Sequence, residues 1–352
     1  MKIVFITSTL DSGGAERVLA GYANWICREN EVIILKFDSQ PSFYEINEKI
    51  KVINLGLSSL SSGFLSGLFN NLKRVYFLKK TLKSLSPDII LSFQTQTNIV
   101  SLLAAKIAGF NIYIFERTNH LYDRSLIWPL LRRTIYPLAD KLFVLTSFDE
   151  AYYRAFVKKV VKMHNPVFVK AAEKNNFEKK EKVILASGRF DENKQFGLLI
   201  KIFAGLEKND YRLIIAGDGP LKGECEKIIK DCGLSGRVEL AGKTHEMEEL
   251  YSKARIFCLT SLMEGFPNVL LEAMSFGCVP IAFDCISGPN EIIENGIDGF
   301  LVKPYDSTAF SQKLSLLISD ASLLKKMSEK AFFSSKRFSP EKMMVLLKKE
   351  LS

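Results

Sequence analysis

Two short stretches hold residue types whose spacing could do chemistry. The first is Ser187-Gly188-Arg189-Phe190-Asp191-Glu192-Asn193-Lys194, set between an apolar run and the start of another. Gly188 permits a tight turn, and two cations then stand five residues apart just ahead of a helix whose first amides are unpaired. Arginine offers a planar fork and lysine a point charge, so Arg189 and Lys194 together could neutralise a diphosphate. A solvated basic loop would have the same composition. The second stretch is Glu264-Gly265-Phe266-Pro267-Asn268-Val269-Leu270-Leu271-Glu272. Asn268 can open a helix, which puts Glu264 in the preceding loop and Glu272 about one turn in. A carboxylate accepts two hydrogen bonds, so each glutamate suits vicinal hydroxyls of a ribose or hexose. The amides of Gly265, Phe266, Asn268 and Val269 are donors beside the helix start. A capped helix with two solvated glutamates is the plain alternative.

The elements that must position these residues alternate strictly. Lys2 to Thr7 reads as a buried parallel strand, followed by the turn Leu10-Asp11-Ser12-Gly13-Gly14 and a helix from about Ala15 with Val18, Leu19, Tyr22 and either Trp25 or Ile26 on one stripe. Strands follow at Glu31 to Phe37, Asp88 to Phe93, Asn111 to Phe115 and Lys141 to Thr146, with helices near Leu72 to Leu85 and Asn98 to Ile107. The pattern breaks near Asn165-Pro166, and the lysine-rich stretch Lys170 to Lys182 reads as a linker. It then resumes with strands at Val183 to Ala186, Arg212 to Ala216, Val238 to Leu240, Ile256 to Leu259 and Val279 to Phe283. Strand–helix alternation implies parallel sheets with right-handed crossovers. The expectation is α/β: two Rossmann-like, doubly wound domains over 1–165 and 166–335, whose strand ends face a shared cleft. A last helix, 336–352, carries Met343, Val345, Leu346 and Leu347 as its apolar face.

In order and content these motifs resemble glycosyltransferase family 4, retaining enzymes of the GT-B fold. Glu264 to Glu272 matches the family's pair of glutamates separated by seven residues. Gly13-Gly14 with Glu16-Arg17, Gly188-Arg189 with Lys194, Gly217-Asp218-Gly219-Pro220 and Asn165-Pro166 fall where the family has them. The first half is most similar to bacterial transferases that build polysaccharide or lipid-linked oligosaccharide units.

The resemblance implies roles. Arg189 and Lys194 would hold the donor diphosphate and its leaving charge. Glu272 would bind the ribose, and Glu264 the donor sugar with the amides of Gly265 and Phe266. Gly13 and Gly14 would let their loop approach the phosphate and acceptor, and Lys243 would lie near the base. Many relatives carry a histidine where this chain has Phe115-Glu116-Arg117-Thr118-Asn119-His120. Arg117 is the matched position and goes to the donor side, with His120 on the acceptor side. His164 and His245 show no partner pattern. The family's mechanism is same-face attack on a nucleotide sugar, UDP-linked in the commonest relatives, carrying a hexose or N-acetylhexosamine. No Asp-x-Asp pair occurs, so no metal and no cofactor are expected.

Composition sets limits. In 352 residues, 47% are hydrophobic and 25% charged, which fits two folded domains, and the formal charge is +9. That balance favours acidic partners. Nucleic acid is an unfavoured one, because the cations are scattered and no nucleic-acid-binding motif occurs. An epimerase would need a histidine and carboxylates that cannot be placed. Six cysteines without a C-x-x-C pair read as core residues of a reducing compartment. No run is long enough to span a membrane. Lys73, Arg74, Lys79, Lys80 and Lys83 surround the leucines of the Leu72 to Leu85 helix, after the apolar, glycine-broken Leu60 to Phe69. Together they predict peripheral contact with an anionic membrane and a polyprenyl-diphosphate-linked glycan acceptor. The predicted location is cytoplasmic, on the inner face of the cell membrane.

Overall fold

Short apolar strands flanked by turn residues are buried on both faces, and that is how this chain uses them. A computed structural model describes residues 1–58, 64–122, 125, 127–169, 175–207, 209–244 and 246–351, the side chains of 64 and 65 excepted. The chain forms two compact units, 1–168 with 340–352 and 169–339.

The first unit is built on β1 (Lys2–Thr7), β2 (Glu31–Lys36), β3 (Lys51–Asn54), β4 (Ile89–Phe93), β5 (Ile112–Phe115), β6 (Lys141–Val144) and β7 (Val160–Lys162). Their order is β3-β2-β1-β4-β5-β6-β7, every pair parallel. The second unit holds β8 (Val183–Ser187), β9 (Arg212–Ala216), β10 (Val238–Gly242), β11 (Ile256–Leu259), β12 (Val279–Phe283) and β13 (Phe300–Val302), ordered β10-β9-β8-β11-β12-β13 and again all parallel. In each sheet the direction of winding reverses beside the first strand, between β1 and β4 and between β8 and β11. Those are the switch points at which doubly wound sheets take ligands.

The core of the first unit contains a ladder of rings. Phe93, Phe115 and Phe143 are opposite one another on β4, β5 and β6, with centroids 4.5 and 4.4 Å apart and nearly parallel planes. Such pairs add about 0.5–1.5 kcal/mol each beyond their buried area.

Three features depart from the sequence reading. The helix expected over Leu72 to Leu85 begins at Phe64, so the apolar run from 64 onward is helical, while 59–63 lie outside the described residues. Only Leu78 and Leu82 of its leucine stripe are fully buried, and Leu72 is 60% exposed, because the early turns extend past the edge of the core. In the helix Pro340–Leu351, Met343, Met344, Leu347 and Leu351 are buried, whereas Val345 and Leu346 are exposed. A stripe at i, i+4 and i+7/8 satisfies helical spacing better than four residues within one turn. Lys180, in the lysine-rich stretch read as a linker, is 5% exposed. Its ammonium donates to the carbonyls of Tyr251 (2.8 Å), Ser252 (3.2 Å) and Ala254 (2.7 Å), closing the end of helix Met247–Lys253.

Candidate functional site

At the switch point of the second unit, the Gly188 loop is tied to both neighbours. Gly188 N donates to Ala216 O (3.0 Å), Phe190 N to Asp218 O (3.0 Å) and Leu221 N to Phe190 O (3.0 Å). Gly217 makes this possible, since a Cβ there would lie 1.9 Å from Gly188 O and its φ is +136°. Asp191 Oδ1 accepts from the amides of Asn193 (3.1 Å) and Lys194 (3.2 Å), which bends the chain into helix Phe196–Ala204.

Asn193 then joins this loop to the loop after β11. Its Nδ2 donates to Met263 O and its Oδ1 accepts from Met263 N, both at 2.9 Å, while Leu262 N donates to Asn193 O at 2.9 Å. Thr260 adds a hydroxyl to Lys194 O (2.8 Å). These ties bring Lys194 Nζ to 2.6 Å from Glu264 Oε1, with both side chains largely out of water. Burial opposes the lysine charge, but the Glu264 carboxylate more than offsets it, and the Lys194 pKa is raised. Cys285, buried near this pair, has its thiol pushed up to about 12 by burial and by Glu264.

Arg189, in the same loop, is exposed. Asn268 opens helix Asn268–Ser275 as expected, and Glu272 is 4% exposed, taking a hydrogen bond from the Tyr251 hydroxyl at 3.0 Å. Gly265 and Val269 are partly exposed beside it. The Phe266 ring turns inward against Phe338, centroids 5.8 Å apart. Lys243 follows β10 and is exposed.

In the first unit, Gly13 caps helix Gly14–Ile26 with an extended backbone. A Cβ on Gly13 would meet the Glu16 carboxylate, so a side chain there would displace Glu16, whereas the φ of Gly13 suits any residue. Glu16 is buried and accepts from Gln94 Nε2 (2.7 Å), and Gln94 has a positive φ of 73° at the end of β4. Burial raises the Glu16 pKa.

Arg117 is nearly enclosed. Its guanidinium carbon lies 4.8–5.6 Å from the ring centroids of Phe115, Phe93 and Tyr22, and Nη1 donates to Asn165 Oδ1 (2.8 Å). Nε and Nη2 have no hydrogen-bond acceptor in good geometry, and burial lowers the pKa. This is a charge held on aromatic faces.

Near it, the buried Glu116 carboxylate accepts from the hydroxyls of Thr95 (2.9 Å) and Tyr136 (2.7 Å). The fully buried Arg132 donates to His120 O (2.9 Å) and Thr95 Oγ1 (3.0 Å). His120 Nδ1 lies 2.8 Å from Asp149 Oδ1, and its ring stacks on Tyr152 at 3.9 Å.

The structure thus joins Lys194 with Glu264, and Arg117 with Asn165. Sequence reading missed Asn193, Thr260, Tyr251 and Asp149. Of these only Asp149 carried a local signal, as the fourth residue of the capping sequence Thr146-Ser147-Phe148-Asp149, where the Thr146 side chain does cap helix Ser147–Arg154. His245 lies outside the described residues. Among the described residues, no group of three or more His, Cys, Asp or Glu side chains converges as a metal site.

On the helix Phe64–Leu85, Arg74 is spent internally, donating to Leu57 O and Asn71 Oδ1 (both 3.0 Å). Lys73, Lys80 and Lys83 are exposed and Lys79 half-buried. No described helix is long and apolar enough to cross a membrane.

Two tandem Rossmann-type sheets with charged loops at their switch points define a two-domain α/β class of ligand-binding protein. Comparison with known proteins narrows this. The family model described as "Glycosyl transferases group 1" matches residues 168–342. The chain is 37% identical over 337 residues to the Campylobacter jejuni "GalNAc-alpha-(1->4)-GalNAc-alpha-(1->3)-diNAcBac-PP-undecaprenol alpha-1,4-N-acetyl-D-galactosaminyltransferase", covering 94% of this chain and 92% of that one. It is 30% identical over 353 residues to a second transferase of that organism, "N-acetylgalactosamine-N,N'-diacetylbacillosaminyl-diphospho-undecaprenol 4-alpha-N-acetylgalactosaminyltransferase", covering 95% and 94% of the two chains. Anabaena HepE, solved with UDP and glucose, superposes with a TM-score of 0.80 at 18% identity, over 100% of this chain and 99% of HepE. The chain belongs to the group 1 glycosyltransferases and has the GT-B fold.

Proposed function

We propose that this glycosyltransferase moves N-acetylgalactosamine, with retention, from UDP-N-acetylgalactosamine to a polyprenyl-diphosphate-linked glycan in bacterial glycan assembly. The observation that carries the donor assignment is the Lys194–Glu264 pair, fixed at a sheet switch point by the Asn193 ties. In this reading Lys194 and the exposed Arg189 meet the diphosphate, and Glu264 is freed to face the sugar. Glu272 accepts the ribose hydroxyls, with Gly188, Gly265, Phe266, Asn268 and Val269 lining the donor and Lys243 near the base.

The bond from the sugar C1 to the β-phosphate oxygen breaks as a bond from C1 to the acceptor oxygen forms on the same face. The acceptor proton passes to the departing phosphate oxygen. Fixed cations on that phosphate supply the stabilisation a loose transition state needs, so no metal takes part. The sugar and nucleotide follow the two Campylobacter relatives, named for N-acetylgalactosaminyl transfer, and HepE, solved with UDP.

Residues 1–165 take the acceptor, with Gly13 and Gly14 close to it. Arg117 is a buried support beneath that surface rather than a donor contact. Membrane contact fits the helix Phe64–Leu85, where Leu68, Phe69, Leu72, Tyr76 and Phe77 are 43–70% exposed. At helical spacing they share one side with Lys73, Lys80 and Lys83.

Incubation with UDP-N-acetylgalactosamine, a polyprenyl-diphosphate glycan and EDTA tests the whole reading. Transfer is expected to persist in the chelator and to fall by at least about a hundredfold in Lys194→Met. Transfer that requires added metal, or survives the substitution, refutes it.

A further inference from the structure

In the loop after β5, His120 is fixed from both sides through its backbone and one ring nitrogen. Arg132 grips the carbonyl of His120, and Asp149 Oδ1 takes its amide at 3.0 Å and faces its Nδ1 at 2.8 Å. The second Asp149 oxygen takes the Thr146 hydroxyl at 2.9 Å, so this carboxylate cannot turn away. The imidazole is sandwiched by Tyr152 (3.9 Å, 3° between planes) and Phe148 (4.9 Å, 20°), which fixes its plane as well.

A carboxylate only accepts, so Nδ1 carries a hydrogen, and in the neutral form of such a ring Nε2 is a bare acceptor. Among the described residues Nε2 has no partner. Phenylalanine would fill the same stack without a ring nitrogen to desolvate, so packing alone does not account for a histidine. The carboxylate behind the ring makes the spot unfavourable for a phosphate. A sugar fits better, with a hydroxyl donating to Nε2 and a C–H face against Phe148, which is 42% exposed.

We propose that His120, oriented by Asp149, receives a hydroxyl of the acceptor sugar. This rests on the reading that the first unit takes the glycan acceptor, and it adds the atom and the tautomer that would select it.

Kinetics of His120→Phe with p-nitrophenyl α-N-acetylgalactosaminide as acceptor, beside ¹⁵N spectra of the wild-type imidazoles, test this. The substitution keeps the ring stack. It should lower kcat/KM for the acceptor by roughly three- to tenfold, through KM, and leave the donor KM unchanged. The chain has three histidines, so the signals lost in the variant identify His120. In the wild type its Nε2 resonance should be that of an unprotonated nitrogen, and it should move with acceptor but not with UDP alone. An unchanged acceptor KM, an Nε2 signal unmoved by saturating acceptor, or a donor KM that rises equally overturns the inference while the transferase reading stands. If wild-type protein binds UDP but neither binds nor glycosylates the probe or a polyprenyl-linked glycan, the acceptor reading fails and takes this one with it.

Discussion

Replacing Gly217 by alanine should injure the donor loops more than any other one-methyl change. The new Cβ would stand 1.9 Å from Gly188 O, where ordinary contact begins near 3.4 Å, so the Gly188 turn would have to retreat about 1.5 Å. That retreat strains the bonds from Gly188 N to Ala216 O and from Gly217 N to Gly242 O. The φ of +136° adds its own cost, since side chains rarely adopt it. Backbone strain of this kind costs about 1–3 kcal/mol and overpacking about 1–3 kcal/mol more, so about 2–6 kcal/mol is expected. For a unit of about 170 residues, that lowers Tm by roughly 5–20 °C. Calorimetry with and without UDP reads both the melt and the loss of the nucleotide-induced shift. Gly223→Ala is the control: it lies in helix Lys222–Asp231 and its Cβ would meet nothing within 4 Å. It should gain up to about 1 kcal/mol. If Gly217→Ala melts within about 1 °C of wild type and keeps its UDP response, the argument from close approach is wrong.

Other substitutions separate stability from charge. Lys180→Met takes the ammonium from the carbonyls of Tyr251 and Ala254 and leaves them only the weak Cys278 thiol as donor, which should cost about 1–3 kcal/mol, read as a lower urea midpoint. An unchanged midpoint would show that water replaces the ammonium. Glu16→Gln keeps the partner Gln94 and removes a carboxyl whose pKa burial raises above the ordinary value of 4.5. In wild type the unfolded chain gives up this proton first, so stability falls as pH rises through 4.5 towards the folded pKa. The variant should therefore be more stable than wild type at neutral pH and equal to it below the ordinary value, as unfolding at pH 3–8 would reveal. Changing Lys73, Lys80 and Lys83 to glutamine should weaken binding to phosphatidylserine vesicles by about 1 kcal/mol per lysine. Equal co-sedimentation would leave the exposed apolar face as the only membrane contact.

What could be seen in the sequence depended on how far apart the partners lie. Gly188, Arg189 and Lys194 stand together, as do Glu264 and Glu272, in combinations chance seldom produces. Asn193 joins Met263 seventy residues away, and Glu116 meets Arg132, Thr95 and Tyr136 through the fold alone. Each of these is a common residue with no local pattern. The long apolar strands β1, β4, β8 and β12 were plain. β3, β7 and β13 escaped because they are short, and β3 and β7 also lack the full burial of the central strands. Lys180 was hidden by its own neighbours, since in a run of lysines nothing marks the one that points inward.

The last helix gives the chain an order of assembly. Met344, Leu347 and Leu351 complete a cluster that includes Ile3, Leu19 and Ile26, so the first unit waits for residues more than three hundred positions downstream. Everything in 169–339 leaves the ribosome before that seam can close. The second unit can therefore fold as it is made, while the first, though begun earlier, carries an open apolar seam until synthesis reaches the helix. Removing residues 340–351 would expose the core around Ile3, more than three hundred positions away in sequence.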